Sequence, residues 1–304
     1  MKNGMASRRD GVRKISWQGP PVWYNIEAEQ FQFTMEGKML RNLGVSLLVA
    51  ILMMAAAWPV CSATTGEGAF SIPIMAPLYG PPPIEFLDSW GITVKFRTTP
   101  EAVAALVPKP LVPNPDNIVY LTIQNLFAKE VGSYGELAVF VPATFEGKPI
   151  DFCVYDLASS EADNSSGREI WGFPQKEGTI KLEEKNGVVT GKVERGGIVL
   201  IRTSMALGRV QKPETEKRLP IVNLKLIPSV EKDAPPDVKR LTITTLQDVA
   251  IHRMYSGDTV LEFGASPVDP FQKIPIKEVI SGNYKEMDFT IGYGKVLYDY
   301  LKAK

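Results

Sequence analysis

The chain has 304 residues, of which 44% are hydrophobic and 22% are charged, a composition typical of a globular protein with a sizeable core. Lysine plus arginine equals aspartate plus glutamate, 34 of each, so the basic excess of a nucleic-acid-binding protein is missing and no nucleic-acid partner is expected. The single histidine, His252, excludes a zinc site built from several histidines. A Ser-His-Asp triad would have to use that residue, and no Gly-x-Ser-x-Gly elbow accompanies it.

An export signal is predicted near the N-terminus. Residues 43–60 are nearly all apolar, Lys38 and Arg41 precede them, and the short triplet Cys61-Ser62-Ala63 follows. A basic flank, an apolar run and a small-residue exit are the parts of a secretory signal peptide. We therefore expect cleavage near Ala63 and an exported protein, periplasmic or secreted. The alternative is an uncleaved membrane anchor, because about 18 apolar residues just span a bilayer.

The predicted domain boundaries follow from that signal. Residues 35–63 are interpreted as the signal peptide, and residues 1–34 as a gene-model extension or a disordered arm, because a signal begins at the true N-terminus. Residues 64–85, which contain Gly80-Pro81-Pro82-Pro83, are predicted to be an extended linker, since such a sequence cannot form a helix. Residues 86–304 would form the folded domain. After cleavage it would hold one cysteine, Cys153, and no stable membrane span.

Period-2 alternation dominates the predicted domain. Ile92, Val94 and Phe96 share one face of a first strand. Thr99-Pro100-Glu101 opens a short helix with a hydroxyl cap and an early proline. Further strands are predicted over residues 118–127, 137–142, 150–157, 179–184, 188–194, 198–206, 221–227, 241–252 and 259–263. The pattern favours a β-dominated α+β domain of antiparallel sheets, either packed on one another or closed into a barrel-like cone, with a few short helices.

Two local predictions are more specific. Asn186-Gly187 joins the strands over 179–184 and 188–194, and this dipeptide is typical of a two-residue β-hairpin. The last residues, 293–304, are predicted to form a short helix. Val296, Leu297, Tyr300 and Leu301 would lie on one face of it.

One decapeptide resembles a known family. Residues 167–176 read Gly-Arg-Glu-Ile-Trp-Gly-Phe-Pro-Gln-Lys, similar to the signature of the acetoacetate decarboxylase family, in which Gly-Arg-Glu leads into aromatic-Pro-Lys-Lys. Other matching pieces follow in family order over roughly residues 84–302: Phe96-Arg97-Thr98, Leu106 to Leu111, Tyr134-Gly135-Glu136, Asp248 to His252, Ile276 to Val279 and Tyr298 to Lys302. The resemblance implies a β-rich fold around a buried pocket, often in homo-oligomers, and no cofactor or metal.

The family chemistry implied by this resemblance depends on a lysine. The first lysine of the family's Lys-Lys pair condenses with a ketone, and the protonated imine accepts the electron pair left when CO2 departs. In this chain Gln175 occupies that position, and glutamine cannot form an imine. Lys176 remains as a candidate catalytic residue. Adjacent strand residues point to opposite faces, so Lys176 would face away from the pocket unless a bulge after Pro174 re-aims it.

The resemblance also assigns other pocket positions. Glu136 matches an active-site glutamate and is the second candidate catalytic residue. By ungapped counting, the place of a pocket arginine falls on Ser89 and that of a pocket glutamate on Leu121. Arg168 and Glu169 are pocket candidates that could instead fix the turn by ion pairing. Trp171 and Phe173 are candidates for the apolar wall, or for ordinary core.

Two hypotheses about function remain. The first is an enzyme of this family with altered chemistry, acting on a small keto acid or related carbonyl compound through Glu136 and Lys176. The second is a non-catalytic, exported protein that binds a small carbonyl compound or organic acid in the same pocket. Both hypotheses differ from acetoacetate decarboxylation because Gln175 stands where the family has its nucleophilic lysine.

Overall fold

The computed structural model describes residues 68–213 and 218–303. The predicted signal peptide and the segment before it lie outside this part of the chain, so both stay predictions. Within the described part, no helix is both long and apolar enough to cross a membrane.

The strands of the described residues form two sheets. The larger sheet runs, in spatial order, through β10 (Arg209–Val210), β13 (Leu246–Gly257), β15 (Glu278–Ile291), β1 (Ile84–Arg97), β3 (Ile118–Ala128), β4 (Gly132–Phe145), β5 (Lys148–Ala158), β11 (Ile221–Ile227), β12 (Val238–Thr244) and β16 (Lys295–Asp299). Off this path, β2 (Val112–Pro113) pairs with β4, and β6 (Gln175–Glu177) pairs with β5. The β5–β6 and β5–β11 pairs are parallel, whereas the other pairs are antiparallel.

The smaller sheet has the order β14 (Thr259–Phe263), β9 (Ile198–Ala206), β8 (Val188–Arg195) and β7 (Thr179–Lys185), all antiparallel. The predicted hairpin is confirmed at its centre. Asn186 and Gly187 connect β7 to β8 with positive φ angles of 54° and 76°, as a two-residue turn that follows the strand twist requires.

The predicted first helix is confirmed as α1 (Pro100–Leu106), which Thr99 caps by accepting a hydrogen bond from the backbone N–H of Ala102. A second short helix, α2 (Glu161–Ser166), continues into a π-helical turn (Gly167–Trp171). A 3₁₀ turn spans Phe271–Lys273.

Three sequence predictions are corrected. The sheets do not close into a barrel, so of the two predicted architectures the packed one is right. The predicted strand over 241–252 is two strands, β12 and β13, separated at Thr245. The predicted C-terminal helix is wrong, because residues 295–299 form β16 and pair with β12. There the hydrogen bonds of an open sheet edge outweigh a local helical pattern.

The central strands of the larger sheet have two differently used faces. Ile92, Val94 and Phe96 of β1 point into the main core, which the smaller sheet covers from the other side. The same alternation places Leu121 and Ile123 of β3 in this core. Side chains of the intervening residues point to the opposite face, where a second, smaller apolar cluster surrounds a cavity.

Candidate active site

A cavity of about 340 Å³ lies on that second face. Strands β1, β3, β4 and β5 form one wall of it, and Trp171, Phe173 and Gln175 line another. Most lining residues are apolar or aromatic, with a few buried polar groups among them. This is the usual composition of a small-molecule site.

Three carboxyl groups meet at one end of the cavity. Glu136 belongs to β4, Asp156 to β5 and Asp163 to α2, and all three line the cavity. The register between β4 and β5 brings Glu136 and Asp156 together. Glu136 pairs with Ala158, and Ala138, two residues further along β4, pairs with Asp156. Asp163 is carried to the same place by the cap of α2, where its backbone N–H donates to Ser160 Oγ at 3.2 Å.

Neutral groups hydrogen-bond to two of these carboxyls. Gln124 Nε2 donates to Glu136 Oε1 at 2.7 Å. Asp163 accepts at both oxygens, from the Tyr134 hydroxyl at 2.7 Å and from Gln175 Nε2 at 2.8 Å. Gln175 therefore contacts the carboxyl cluster (Glu136, Asp156 and Asp163) directly.

Burial controls the ionisation of the carboxyl cluster. Desolvation, with the charge of Asp163 added, raises the pKa of Glu136 to about 8 although the Gln124 hydrogen bond lowers it. Desolvation and the two neighbouring carboxyls raise the pKa of Asp156 well above its ordinary value. Burial raises the pKa of Asp163 to about 6 against the lowering effect of its hydrogen bonds from Tyr134 and Gln175. Near neutral pH, Glu136 and Asp156 therefore hold protons while Asp163 is largely ionised.

The position of Gln175 is fixed by backbone contacts. Strand β6 pairs with β5 so that Gln175 lies beside Asp156. Arg168 Nη1 donates to the Gln175 carbonyl at 3.0 Å. Residue 167 is a glycine, and a Cβ built at this position would lie only 1.7 Å from Gln175 Oε1. The π-helical turn thus leaves room for the amide of residue 175 in the cavity wall.

The turn itself is held from outside the cavity. Gly172 has a φ of 80°, and a Cβ there would come within 2.5 Å of Lys225 Cβ, so this position requires glycine. The carbonyl of Trp171 accepts a hydrogen bond from the Thr242 hydroxyl, and the indole Nε1 donates to the Gly292 carbonyl at 2.9 Å. These contacts orient Trp171 and Phe173 against the cavity.

Lys176 lies on the other face of β6. Its Nζ is 2.8 Å from Asp269 Oδ1 and 4.9 Å from the centre of the Tyr155 ring. Arg195 Nη1 lies 2.9 Å from Asp269 Oδ2. Gln175 and Lys176 point to opposite faces of β6, because no bulge interrupts the strand between them. Lys176 is therefore not among the residues that line the cavity.

Arg168 and Glu169 also lie outside the cavity lining. Arg168 contacts the backbone of Gln175, as described above. Glu169 accepts a hydrogen bond from the Tyr79 hydroxyl, and Tyr79 is tied to Ser71, whose Oγ donates to the Tyr79 carbonyl at 2.8 Å. This contact places a bend of the predicted linker, within the described residues, against the π-helical turn. Arg168 and Glu169 therefore hold the π-helical turn in place and do not line the cavity.

The alignment of two further pocket positions is corrected. Leu121 is fully buried in the main core, and its neighbours Tyr120 and Thr122 line the cavity instead. Ser89 is buried at an irregularity of β1 between Phe86 and Ser89, where the register to β15 shifts. Ungapped counting fails at both places, because a change of one residue exchanges the two faces of a strand.

Sequence reasoning missed most of the polar lining. Gln124, Tyr134, Asp156 and Asp163 contact one another or Glu136, yet they come from four separate elements. Only the register of adjacent strands brings them together. Three cationic residues also line the cavity: Lys95, Arg218 and Lys285.

A second hollow, of about 430 Å³, lies on the smaller sheet and is lined by surface charges of both signs, among them Lys181, Glu183 and Arg202. It contains no buried titratable group, so the cavity is the stronger candidate. Across residues 68–213 and 218–303, no group of three or more His, Cys, Asp or Glu side chains could hold a metal ion.

The sequence profile described as "Acetoacetate decarboxylase (ADC)" matches residues 71–301. The chain belongs to the acetoacetate decarboxylase family. The match spans the cavity, the π-helical turn and both sheets. The expected family membership is therefore confirmed.

Individual members of the acetoacetate decarboxylase family agree with this. The chain is 29% identical over 243 residues to an acetoacetate decarboxylase of Ralstonia nicotianae, covering 78% of this chain and 98% of that protein. It is 30% identical over 237 residues to acetoacetate decarboxylase 1 of Bradyrhizobium diazoefficiens, covering 77% and 94%.

Solved structures agree as well. A crystal structure of acetoacetate decarboxylase from Legionella pneumophila superposes with a TM-score of 0.71 at 28% identity, covering 76% of this chain and 94% of that one. The enduracididine biosynthesis enzyme MppR complexed with pyruvate has a TM-score of 0.68 at 21% identity, covering 77% and 98%. At that identity the likeness to MppR concerns the fold alone.

Proposed function

We propose that this protein takes a small keto acid or related carbonyl compound into the cavity and acts on it without forming an imine. One observation carries the proposal: residue 175, which the resemblance aligns with the family's nucleophilic lysine, is an amide hydrogen-bonded to Asp163. The neighbouring amine, Lys176, is bound to Asp269 on the opposite face of the strand. Neither side chain offers a free amine to a carbonyl carbon in the cavity.

Glu136 is the candidate catalytic acid. Its raised pKa keeps a proton on the carboxyl near neutral pH, and a general acid works best when its pKa lies near the working pH. A protonated Glu136 carboxyl that donates to a ligand's carbonyl oxygen stabilises the enol form, because its proton neutralises the negative charge that develops on that oxygen. The adjacent C–H proton would pass to the ionised Asp163 carboxylate, which lines the same cavity. Reversible enolisation is therefore the chemistry that this arrangement supports best.

A second candidate function is non-catalytic binding on the same fold. It is favoured by the way Gln175 completes a hydrogen-bonded network with Asp163 and Tyr134. Such a network gives a cavity a fixed set of polar contacts without a nucleophile.

The imine is tested by borohydride trapping. Purified protein is incubated with pyruvate, acetoacetate or 4-oxopentanoate, reduced, and mapped by peptide mass spectrometry. We expect thermal-shift evidence of binding by at least one of these compounds, no covalent adduct, and no protein-dependent CO2 release from acetoacetate. Lys176→Arg serves as the control, since it keeps the charge beside Asp269 and removes the primary amine. An adduct at Lys176 would overturn the proposal.

Enolisation separates the two candidates. In D2O, the wild-type protein should exchange hydrogen for deuterium at the carbon beside the ligand's carbonyl, as followed by NMR. Glu136→Gln should bind the same ligand and lose the exchange. Binding without exchange in the wild-type protein would favour the non-catalytic candidate.

We also propose that the protein is exported. The support is the basic flank, apolar run and small-residue exit of residues 38–63. Self-association remains a proposal as well, and it rests on the family resemblance.

A further inference from the structure

One end of the cavity has an apolar wall, which we call the apolar compartment. Six residues that line the cavity and pack in the second apolar cluster form it: Phe86, Leu126, Trp171, Leu246, Phe289 and Ile291. The rings of Phe86 and Phe289 stack with their centres 4.5 Å apart, and Leu246 pairs with Ile291 across two strands. Phe289 and Ile291 lie on the same face of β15, so these two pairs adjoin.

The register of the larger sheet sets the order of groups along the cavity. On β3, the cavity-lining residues run from Leu126 in the apolar compartment through Gln124 to Tyr120. Gln124 pairs with Glu136, so the candidate acid follows directly after the compartment. Lys95 pairs with Tyr120, which is about 13 Å further along β3 than Gln124 at the usual rise of a strand. The apolar compartment and Lys95 therefore lie on opposite sides of Glu136.

The cavity has more apolar surface than the smallest keto acids can cover. Its volume of about 340 Å³ falls in the range of pockets that enclose drug-sized ligands, roughly 300–1,000 Å³. Pyruvate and acetoacetate are much smaller, and neither carries an apolar group larger than a methyl. Because covering apolar surface is favourable in proportion to its area, a ligand with a larger apolar group gains affinity here.

We propose that the apolar compartment binds a phenyl-sized apolar group on the ligand's carbonyl carbon, so that the ligand is a bulky 4-oxo acid. The inference rests on the proposed function, because it assumes that the ligand binds in the cavity with its carbonyl at Glu136. Three of the six residues of the compartment are aromatic, and a flat ring can pack against them edge-to-face or in an offset stack.

The carboxylate of such a ligand extends toward Lys95. The two carbons between the carbonyl and the carboxylate of a 4-oxo acid carry the charge away from Glu136 along the strands. Of the ion pairs among residues 68–213 and 218–303, none includes Lys95. Arg218 and Lys285 also line the cavity but have contacts of their own, so we assign the carboxylate to Lys95.

A matched pair of ligands tests the apolar compartment. The compounds 4-oxopentanoate and 4-oxo-4-phenylbutanoate share the carbonyl, the two-carbon spacer and the carboxylate, and they differ by methyl against phenyl on the carbonyl carbon. Isothermal titration calorimetry at several temperatures gives the affinity and the heat-capacity change of each. We expect the phenyl compound to bind about tenfold tighter or better, with a more negative heat-capacity change because more apolar surface is buried.

A space-filling variant locates the phenyl group. Leu246 is only partly buried against the second apolar cluster, so Leu246→Trp can extend a larger ring into the compartment. It should weaken binding of the phenyl compound about tenfold and leave the affinity for 4-oxopentanoate unchanged. Leu87→Trp makes the same change at an exposed position of β1 outside the cavity lining, and it should keep the full preference.

A charge variant locates the carboxylate. Lys95→Met keeps a long side chain and removes its charge, so it should weaken binding of 4-oxo-4-phenylbutanoate about fivefold. The neutral ketone 1-phenylbutan-1-one, which has the same ring and carbonyl without the carboxylate, should bind the variant as it binds the wild-type protein. Lys181→Met, at the second hollow, should alter neither affinity.

The outcomes separate this inference from the proposed function. Equal binding of both 4-oxo acids would overturn the compartment assignment and leave the proposed function standing. Binding of neither acid, nor of pyruvate or acetoacetate, would contradict the proposed function itself. A phenyl preference that survives Leu246→Trp would place the ring elsewhere, and an affinity unaffected by Lys95→Met would overturn the position of the carboxylate. If Leu246→Trp fails to fold, the wild-type heat-capacity changes decide, since equal values for the two acids would mean that the phenyl group stays in solvent.

Discussion

Gln175 and Asp163 together determine what a lysine at residue 175 would do. Burial alone would lower the pKa of a new lysine, but the Asp163 carboxylate lies within hydrogen-bond reach of that position and favours the charged form. Gln175→Lys should therefore form an adduct with a small ketone that borohydride traps, with a yield that rises with pH. Asp163→Asn added to it should increase the yield at neutral pH by about tenfold for each unit by which the lysine pKa falls.

Peptide mapping after reduction measures this prediction, and Lys176→Arg in the same background confirms the site. An adduct that is absent at every pH would mean that residue 175 is inaccessible to ligands. A yield unaffected by Asp163→Asn would mean that Asp163 does not control the amine.

Glu136 should make stability depend on pH. Its pKa rises on folding from 4.5 to about 8, so between these values the unfolded chain loses a proton that the folded chain retains. The folded state is thereby destabilised as pH rises through this range. Glu136→Gln keeps the hydrogen bond from Gln124 and cannot ionise. The melting temperature of Glu136→Gln minus that of the wild-type protein should increase by several degrees between about pH 5 and pH 8. For a domain of this size, each kcal/mol in the free energy of unfolding shifts the melting temperature by ~2–4 °C.

Differential scanning calorimetry across that range is the measurement, with Glu278→Gln as the exposed carboxyl control. A difference between Glu136→Gln and wild type that stays constant with pH would contradict the raised pKa.

At the level of elements, the π-helical turn controls the cavity through Gly167. Its backbone has φ −60° and ψ −43°, which alanine adopts readily. The obstacle to Gly167→Ala is the Gln175 amide, because the three atoms nearest to a Cβ at residue 167 all belong to that side chain, with Oε1 at 1.7 Å. The amide would have to leave its position beside Asp163. We expect ligand affinity to fall about tenfold, as for one lost polar contact, with the fold preserved. Gly80→Ala, where nothing lies within 4 Å, should leave calorimetric affinity unchanged. An unchanged affinity for Gly167→Ala would remove Gln175 from the binding surface.

The loop between β14 and β15 is anchored by Asp269. Desolvation raises the pKa of this carboxyl, but hydrogen bonds from Lys176, Tyr155 and Arg195 outweigh it and hold the pKa at about 2. Asp269→Asn should lower the free energy of unfolding by about 1–3 kcal/mol at neutral pH, the range for hydrogen bonds to charged groups. Because the folded pKa is depressed, this difference is present above pH 3.8 and shrinks as pH falls toward 2. Urea denaturation at pH 7 and pH 3 measures it. A loss of ligand binding in a folded Asp269→Asn protein would contradict the separation of this anchor from the cavity.

Most strands were predictable because their alternation is local. The strands over 118–127, 179–184 and 221–227 were predicted within a residue of their bounds, since apolar side chains recur at every second position over most of each segment. Strand β15 was missed because its register to β1 and β13 shifts, so the buried positions change phase between Tyr284 and Met287. Strand β16 was assigned to a helix because its edge pairing is a long-range contact.

The cavity was predictable only in part. Glu136, Trp171, Phe173 and Gln175 were placed by one decapeptide and one strand motif, and the structure brings all four to the cavity. Asp156 and Asp163 carry no local pattern that distinguishes them from surface acids. Their role depends on which strands are neighbours and in which register, which no single segment encodes.

For the whole molecule, the export signal predicts where the mature chain begins. The basic flank, the apolar run and the Cys61-Ser62-Ala63 exit predict cleavage after Ala63. Protein purified from the expressing cell should therefore begin near Thr64 by N-terminal sequencing. Recovery of a membrane-bound chain that retains residues 43–60 would favour the anchor instead. The start of the family match at residue 71 is compatible with either result.

The backbone at residue 175 is held by groups that do not depend on its side chain. Pairing of β6 with β5 and the hydrogen bond from Arg168 both use the main chain of residue 175, and Gly167 leaves space above it. An exchange between amine and amide at this position therefore costs the fold little. We therefore expect that one substitution at residue 175 can exchange an amide for an amine while the main-chain contacts of β6 stay in place.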